Sequence, residues 1–315
     1  MAFIELLQTQ EIFLLIIVGL FSLAVGSFLN VVIHRLPVMM HKTWRSQCID
    51  LLSEDEHPTD SATIPKGSAE DSSKATPEDS PLEKKEKYNI VVPRSACPQC
   101  GHKITATENI PIISYLLLKG KCSNCKTPIS KRYPIIEFFT MLLSIIVAWK
   151  FGFSWQCAAA LLLTWALICA SVIDFDHKLL PDDITLPFLW IGILLNLFGL
   201  FTASQSSIIG AIAGYLSLWS VYWIFKLLTG KEGMGYGDFK LLAVFGAWLG
   251  WQSLPGIILL SSFVGAVVGI SLIVVKGRDK NIPIPFGPYL AAAGWIYLLW
   301  GSQLTQMYFS IAGIR

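Results

Sequence analysis

Gly233-Met234-Gly235-Tyr236-Gly237-Asp238, with an apolar run resuming at once in Phe239, Leu241, Leu242, Ala243, Val244 and Phe245, is the stretch whose reading decides the fold. Glycine lets the backbone take φ > 0 and lets another chain come close. The stretch therefore reads as a loop open to approach. Asp238 stands at the lip of the apolar helix that follows. Burying a carboxylate at mid-bilayer costs about 3 kcal/mol on insertion scales, so the position needs a reason. Taken alone, Gly-x-Gly-Asp fits a plain loop and helix cap as well as a site. A partner elsewhere in the chain has to decide.

The surrounding composition says what kind of helix this is. Of 315 residues 53% are hydrophobic and only 15% charged, where a soluble protein carries about 25% charged residues. Mean hydropathy is +0.56. Most charges lie between His34 and Arg132, and long stretches elsewhere carry none. This is the pattern of an all-α polytopic membrane protein with one polar domain. The net charge of +2 does not suggest a nucleic-acid binder. Met1 to Glu11 has no Lys or Arg, so the first apolar run reads as a retained span rather than a cleaved signal peptide.

Eight apolar runs are expected as spans: Ile12–Ile33, then Tyr133–Trp149, Trp155–Ile173, Ile184–Phe201, Ile208–Leu228, Phe239–Trp251, Leu254–Val275 and Pro288–Tyr308. The run Phe239–Trp251 is too short to cross a ~30 Å core as a straight helix at 1.5 Å per residue. Short helices often belong to sites that admit water. The division expected is a first span over 1–36, a cytoplasmic domain over 37–132, and a seven-helix membrane domain over 133–315. Asn30 reads as a helix-packing residue or as a contact to a ligand or to the polar domain. His34 and Arg35 read as interfacial anchors.

Within the polar domain, residues 53–87 are rich in Ser, Thr, Pro, Glu, Asp and Lys. Such a composition cannot offset its ordering entropy, and a disordered insertion is expected. Residues 89–132 form a second unit with Cys97-Pro98-Gln99-Cys100 and Cys122-Ser123-Asn124-Cys125. Two Cys-x-x-Cys pairs can supply four thiolates to a tetrahedral ion, Zn²⁺ by preference. The 21 residues between the pairs are close to the usual range of about 15–20. Gly101 and Lys126 follow the pairs at knuckle-like turns. The alternative, two disulfides, needs an oxidising compartment. The gap also holds an apolar stretch, Ile110 to Leu118, and then Lys119-Gly120-Lys121.

Charge sets the orientation. With the loop after the first span in the cytoplasm, 22 of the 24 Lys and Arg fall inside, and only Lys150 and Arg315 fall outside. Both termini then face the periplasm, and the cysteine unit faces a reducing cytosol, which favours metal over disulfides. The loop joining the third and fourth spans, Asp174-Phe175-Asp176-His177-Lys178-Leu179-Leu180-Pro181-Asp182-Asp183, lies on the same face as Asp238. Asp174 directly follows one apolar helix, and Asp238 directly precedes another. They can meet if the third and sixth spans pack together. Two carboxyls at close range share one proton. The ionised one takes a proton from water, and the protonated one polarises the peptide carbonyl. Asp182, with Asp183, reads as an N-cap of the fourth span ahead of Ile184, and Asp176 and His177 as support or solvated loop. His-Glu-x-x-His is absent.

These residues together resemble the bacterial type IV prepilin peptidases, aspartic membrane proteases of the GxGD type. The resemblance rests on Gly-Ser-Phe-Leu-Asn-Val-Val-Ile-His-Arg-Leu-Pro at 26–37, on the paired Cys-x-x-Cys unit running into Lys131-Arg132-Tyr133-Pro134-Ile135-Ile136-Glu137, on the Asp174 to Asp182 loop, and on Gly-x-Gly-Asp at 235–238. It covers nearly the whole chain; the 53–87 insertion is the departure. It implies a bifunctional enzyme of the bacterial inner membrane. One activity cleaves the short basic leader of prepilins and of secretion-system pseudopilins at the cytoplasmic face, and Asp174 and Asp238 match the family's aspartate pair. The other methylates the new N-terminal residue with S-adenosylmethionine. The cysteine unit belongs to the family's methyl-transfer region, and Gly120 with Lys121 match a Gly-Lys pair tied to it. No Gly-x-Gly-x-x-Gly on a strand–helix unit marks a methyl-donor site. Acids such as Asp176 or Asp182 are expected to meet a basic leader. The competing readings are a transporter or channel with a cytosolic metal ribbon, and a peptidase without methyl transfer whose metal unit is purely structural.

Overall fold

A computed structural model of the chain describes residues 2–54, 88–276 and 285–311. The described residues are mostly helical, with only two isolated β-bridges. A short helix α1 (Ala2–Thr9), which the apolar pattern did not foretell, leads into α2 (Glu11–Glu54). After the cysteine unit and its five-residue helix α3 (Ile113–Leu117) come α4 (Arg132–Phe151), α5 (Trp155–His177), α6 (Asp182–Leu197), α7 (Ser204–Thr229), α8 (Tyr236–Leu249), α9 (Leu254–Lys276) and α10 (Gly287–Ile311). The eight expected spans correspond to α2 and α4–α10. Five helices are long and apolar enough to cross a membrane on that ground alone: α2, α4, α5, α7 and α9, the last joined to the turn before it. Ile16, Leu20, Trp190, Ile224, Phe263 and Ile270 stand exposed on the outside of the bundle. A soluble protein rarely exposes so continuous an apolar surface; here it faces lipid.

The first span runs much further than its apolar stretch. The helix α2 continues through Pro37 to Glu54, 44 residues in all, or about 66 Å at 1.5 Å per residue. The expected boundary at residue 36 is therefore not a break in structure. Pro37 removes one backbone donor but leaves the helix continuous. Of the expected insertion, Ser53 and Glu54 close α2, and the rest lies outside the described residues. Arg35 is not the interfacial anchor expected. It is buried, and its guanidinium donates to the carbonyl oxygens of Asn89, Ile90 and Pro93 at 3.0, 3.2 and 2.6 Å. It thereby fastens the returning chain to α2. Asn30 resolves to the packing role, its amide donating to the Tyr133 carbonyl of α4 at 3.2 Å.

The centre of the bundle is the shortest of its membrane helices. In α8 every residue from Leu241 to Trp248 is buried, as are Asp238 and Phe239. It packs between α6 and α7, with α10 alongside. At about 21 Å it cannot span the apolar core, and its last carbonyls need partners that lipid cannot supply. Buried Asn196 donates to Ala247 and Trp248 carbonyls at 2.8 and 2.9 Å, and Ser207 donates to Ala247 at 2.6 Å. The opposite end opens into a cleft, described below.

The α7–α8 contact is made backbone to backbone. A Cβ on Gly214 would lie 2.7 Å from the Leu242 carbonyl oxygen, and one on Gly246 would overlap Gly210. Small residues let helices approach this closely in lipid. Gly246→Val is therefore expected to destabilise by upwards of about 3 kcal/mol, at the high end for overpacking, because backbone cannot move aside. Thermal unfolding in detergent checks this; an unchanged midpoint would count against the packing.

Candidate active site

Asp174 lies in the last turn of α5, and Asp238 in the first turn of α8. Each is only 6% exposed. The α5 helix ends at Lys178, which takes the left-handed conformation (φ 56°) while its N–H closes on the Asp174 carbonyl. A four-residue turn then leads into α6, whose N-cap is Pro181. Asp182 thus occupies the first helical position rather than the cap. The expected face-to-face packing of the third and sixth spans is not what joins the two aspartates. The bridging elements are α6, packed on α8, and the start of α10, packed on α5.

Leu180 and Gly287 make the junction. The Gly287 N–H donates to Asp174 Oδ2 at 3.0 Å. A Cβ on Gly287 would lie 2.6 Å from that same oxygen and 3.1 Å from Leu180. From the other side, a Cβ on Gly237 would lie 2.5 Å from Leu180. One leucine side chain therefore touches the residue preceding Asp238 and the residue bonded to Asp174. Both aspartates line one cleft of about 820 Å³. Asp238 Oδ1 is buried with no hydrogen-bond partner among the described residues.

The Gly-rich stretch behaves differently from its sequence reading. None of its three glycines takes a positive φ. Gly233 abuts the Phe225 ring and Gly237 abuts Leu180. Only Gly235 faces open space, with Asp238 Oδ2 the nearest atom at 3.7 Å. Close approach, not special backbone geometry, is what the glycines provide, and Gly235 is the one position that presents bare backbone beside a carboxylate.

The far wall of the cleft comes from α2, through Met39, Met40, Thr43 and Trp44. These residues belong to the part of the long helix beyond Pro37 and carry no signal in the sequence. Gly287 was also missed, although a glycine opening an apolar run is the pattern that drew attention to Asp238. Two of the remaining acids are tied up. Asp176 pairs with Arg132 of α4, and Asp182 pairs with Lys240 of α8 at 2.6 Å. The second pair joins the start of α6 to the helix that carries Asp238. Asp183, which also lines the cleft, has no ion-pair partner among the described residues.

The four cysteines come together as expected. Their sulfurs all lie within 4.8 Å of one another, with Cys97–Cys125 at 3.7 Å and Cys100–Cys122 at 4.0 Å. A tetrahedral site with metal–sulfur bonds of about 2.3 Å has edges of about 3.8 Å, so the cluster fits such an ion. Two matching turns build it. Gly101 and Lys126, each just past the second cysteine of its pair, take φ 68° and 60°. In each turn the first cysteine's N–H and carbonyl are both engaged: Cys97 N–H with His102 and Gly101 N–H with Cys97, then Cys122 N–H with Thr127 and Lys126 N–H with Cys122. The hydroxyl and amide of Thr127 pull the Cys125 thiol down to about 6, and the Cys100 and Gln99 amides lower Cys97. His102 bonds Glu108 instead of joining the cluster. Gly120 (φ 68°) does not offer a cradle, because the space its side chain would fill is held by the Tyr115 hydroxyl 2.9 Å away. Lys121 is exposed.

A helical membrane protein with two buried carboxylates on a shared cleft has the architecture of an aspartic membrane peptidase. Two family models match, the Bacterial Peptidase A24 N-terminal domain over residues 20–151 and the Type IV leader peptidase family over residues 161–270. The chain is 51% identical to a prepilin leader peptidase/N-methyltransferase of Pseudomonas aeruginosa over the full length of both. It is 52% identical to one of Stutzerimonas stutzeri over 98% of each chain, and 54% identical to one of Aeromonas salmonicida over 93% of each. No solved structure matches. The chain belongs to the prepilin leader peptidase/N-methyltransferase family.

Proposed function

We propose that the chain is a bifunctional membrane enzyme that removes the leader of type IV prepilins and pseudopilins and then methylates the new N-terminus with S-adenosylmethionine. The observation that carries the peptidase half is the shared cleft, into which Asp174 and Asp238 both open. The pair holds one proton between its carboxyls. The ionised member takes a proton from water, and the water oxygen attacks the scissile carbonyl. The protonated member donates to that carbonyl oxygen; the proton taken from water then passes to the leaving amine as the C–N bond breaks, and the diol returns a proton to the pair. Gly235 gives the substrate backbone room beside Asp238. Since a prepilin's apolar helix follows its leader, the scissile bond sits where helix ends meet the aqueous face, which is the depth of the cleft. With Asp176 and Asp182 already paired, Asp183 is the cleft acid left to meet a basic leader.

Cys97, Cys100, Cys122 and Cys125 hold Zn²⁺, whose contribution is structural: it cross-links two turns that share no apolar core. Methyl transfer belongs to this unit, with Gly120 and Lys121 at its edge. The fold is that of an inner-membrane protein with the cleft and the cysteine unit in the cytoplasm and both termini periplasmic, supported by the distribution of Lys and Arg.

Purified protein incubated with a prepilin and S-adenosylmethionine tests both halves by product mass. The expected product lacks the leader and carries one added methyl. An uncut substrate overturns the first activity, and a cut but unmethylated product overturns the second.

A further inference from the structure

The apolar stretch Ile110 to Leu118 is used by neither the aspartate cleft nor the cysteine cluster. In a cytosolic unit it should be folded inward. Instead Leu116 is 67% and Leu117 77% exposed, with Ile113 at 54%. The reason lies in how deep the segment is held. Gly26 of α2 lies against Glu137 and Thr140 of α4, more than one turn inside the fourth helix's start at Arg132. Ser27, the next residue, donates to Asn109 Oδ1 at 3.4 Å. The buried Glu137 carboxylate accepts the Ile112 N–H at 2.8 Å. These two tethers, from two membrane helices, draw residues 109–112 down to the level of the first turns of α4. Ile112 takes φ 57° to make the bend, a conformation a β-branched residue adopts only when its surroundings require it. The short helix α3 starts from that depth, so its exposed face lies beside the bundle at the edge of the bilayer.

The charges agree. Residues 88–132 carry seven Lys and Arg against one acid, Glu108, and Glu108 is bonded to Thr105 and His102. Lys119 and Lys121 follow α3 directly, and both are exposed. Apolar side chains flanked by lysines, held at interfacial depth, are what an anionic lipid surface binds.

We propose that Ile113, Leu116 and Leu117 together with Lys119 and Lys121 form a lipid-binding edge that seats the cysteine unit in the headgroup layer. The apolar side chains enter the boundary between headgroups and acyl chains, and the lysines meet headgroup phosphates. The unit then rides at the surface from which a membrane-held N-terminus would be presented to it, rather than swinging free above.

The full-length protein, carrying the photocrosslinker p-benzoylphenylalanine at position 117 or, as reference, at exposed Gln99, is placed in nanodiscs of equal phosphatidylglycerol and phosphatidylcholine. After irradiation, lipid adducts are read by mass spectrometry. Position 117 is expected to give lipid adducts well above position 99, enriched in phosphatidylglycerol roughly tenfold. Lys119→Gln with Lys121→Gln should return that enrichment to the bilayer ratio. Equal lipid yield at 117 and 99 overturns the proposal, as does crosslinking of 117 to protein, whether to residues 55–87 or to a second copy. Enrichment that survives the lysine changes removes the lysines from it. No turnover is needed, so the outcome is separate from that of the proposed activity.

Discussion

Asp238→Asn is expected to lower prepilin cleavage by about a thousandfold or more, and Asp174→Asn to do the same. Each substitution keeps the size of the side chain. An amide oxygen at 174 can still accept the Gly287 N–H, so the junction with α10 survives. What disappears is the titrating oxygen, and with it the proton assigned to the proposed pair. Neither remaining carboxyl can then serve as base and acid in turn. The check is a time course on a prepilin, alongside thermal unfolding to show that each variant is folded. Methylation of a substrate already lacking its leader should persist in both variants, because that chemistry is assigned to the cysteine unit. Cleavage within tenfold of the unsubstituted protein in either variant would remove the pair from the mechanism.

Cys97→Ser or Cys122→Ser is expected to abolish stoichiometric metal and to unfold the unit that carries it. Among residues 88–131, Cys122 is the one buried side chain. A segment of this size with no apolar core is below what hydrophobic burial alone holds together. Its folding energy must then come from the ion, whose binding to structural thiolate sites contributes about 10 kcal/mol or more in isolated peptides. Metal analysis should fall from about one ion per chain to near zero. Limited proteolysis should open residues 95–130, and methyl transfer should be lost. Cleavage should fall by a smaller factor, since Arg35 holds the start of the unit to α2 without the ion. Undiminished metal in either variant would mean that the cluster is not the site.

Much of this architecture was legible in the sequence because a bilayer enforces simple rules. Apolar runs marked the eight helices, and the bias of Lys and Arg put Asp174 and Asp238 on one face before any contact was known. Cys-x-x-Cys spacing carries its own geometry, so the cluster followed from local pattern. What was not legible is how the pieces meet. The extension of α2 beyond Pro37 has a polar, helix-permissive sequence with no apolar signal, yet it supplies a wall of the cleft. Gly287 meets Asp174 across more than a hundred residues, and Leu180 is one leucine among many. Asn196 reads as an incidental polar residue in an apolar run, although it satisfies the carbonyls that let α8 stop short. The salt bridges of Asp176 and Asp182 likewise depend on partners from other helices. Glycine at 233, 235 and 237 was legible as a signal, but its meaning was packing at two positions and open space at the third.

The long helix α2 also sets how the cleft can be approached. Its Met39–Trp44 wall belongs to the part of the rod that continues past the apolar stretch, so the cavity is built outward from the membrane rather than sunk into it. Entry for a small molecule is therefore from the aqueous phase on the side of the cysteine unit. A polar inhibitor that cannot cross lipid can act there, and only there. In sealed vesicles its potency becomes a direct report of which way the chain is inserted.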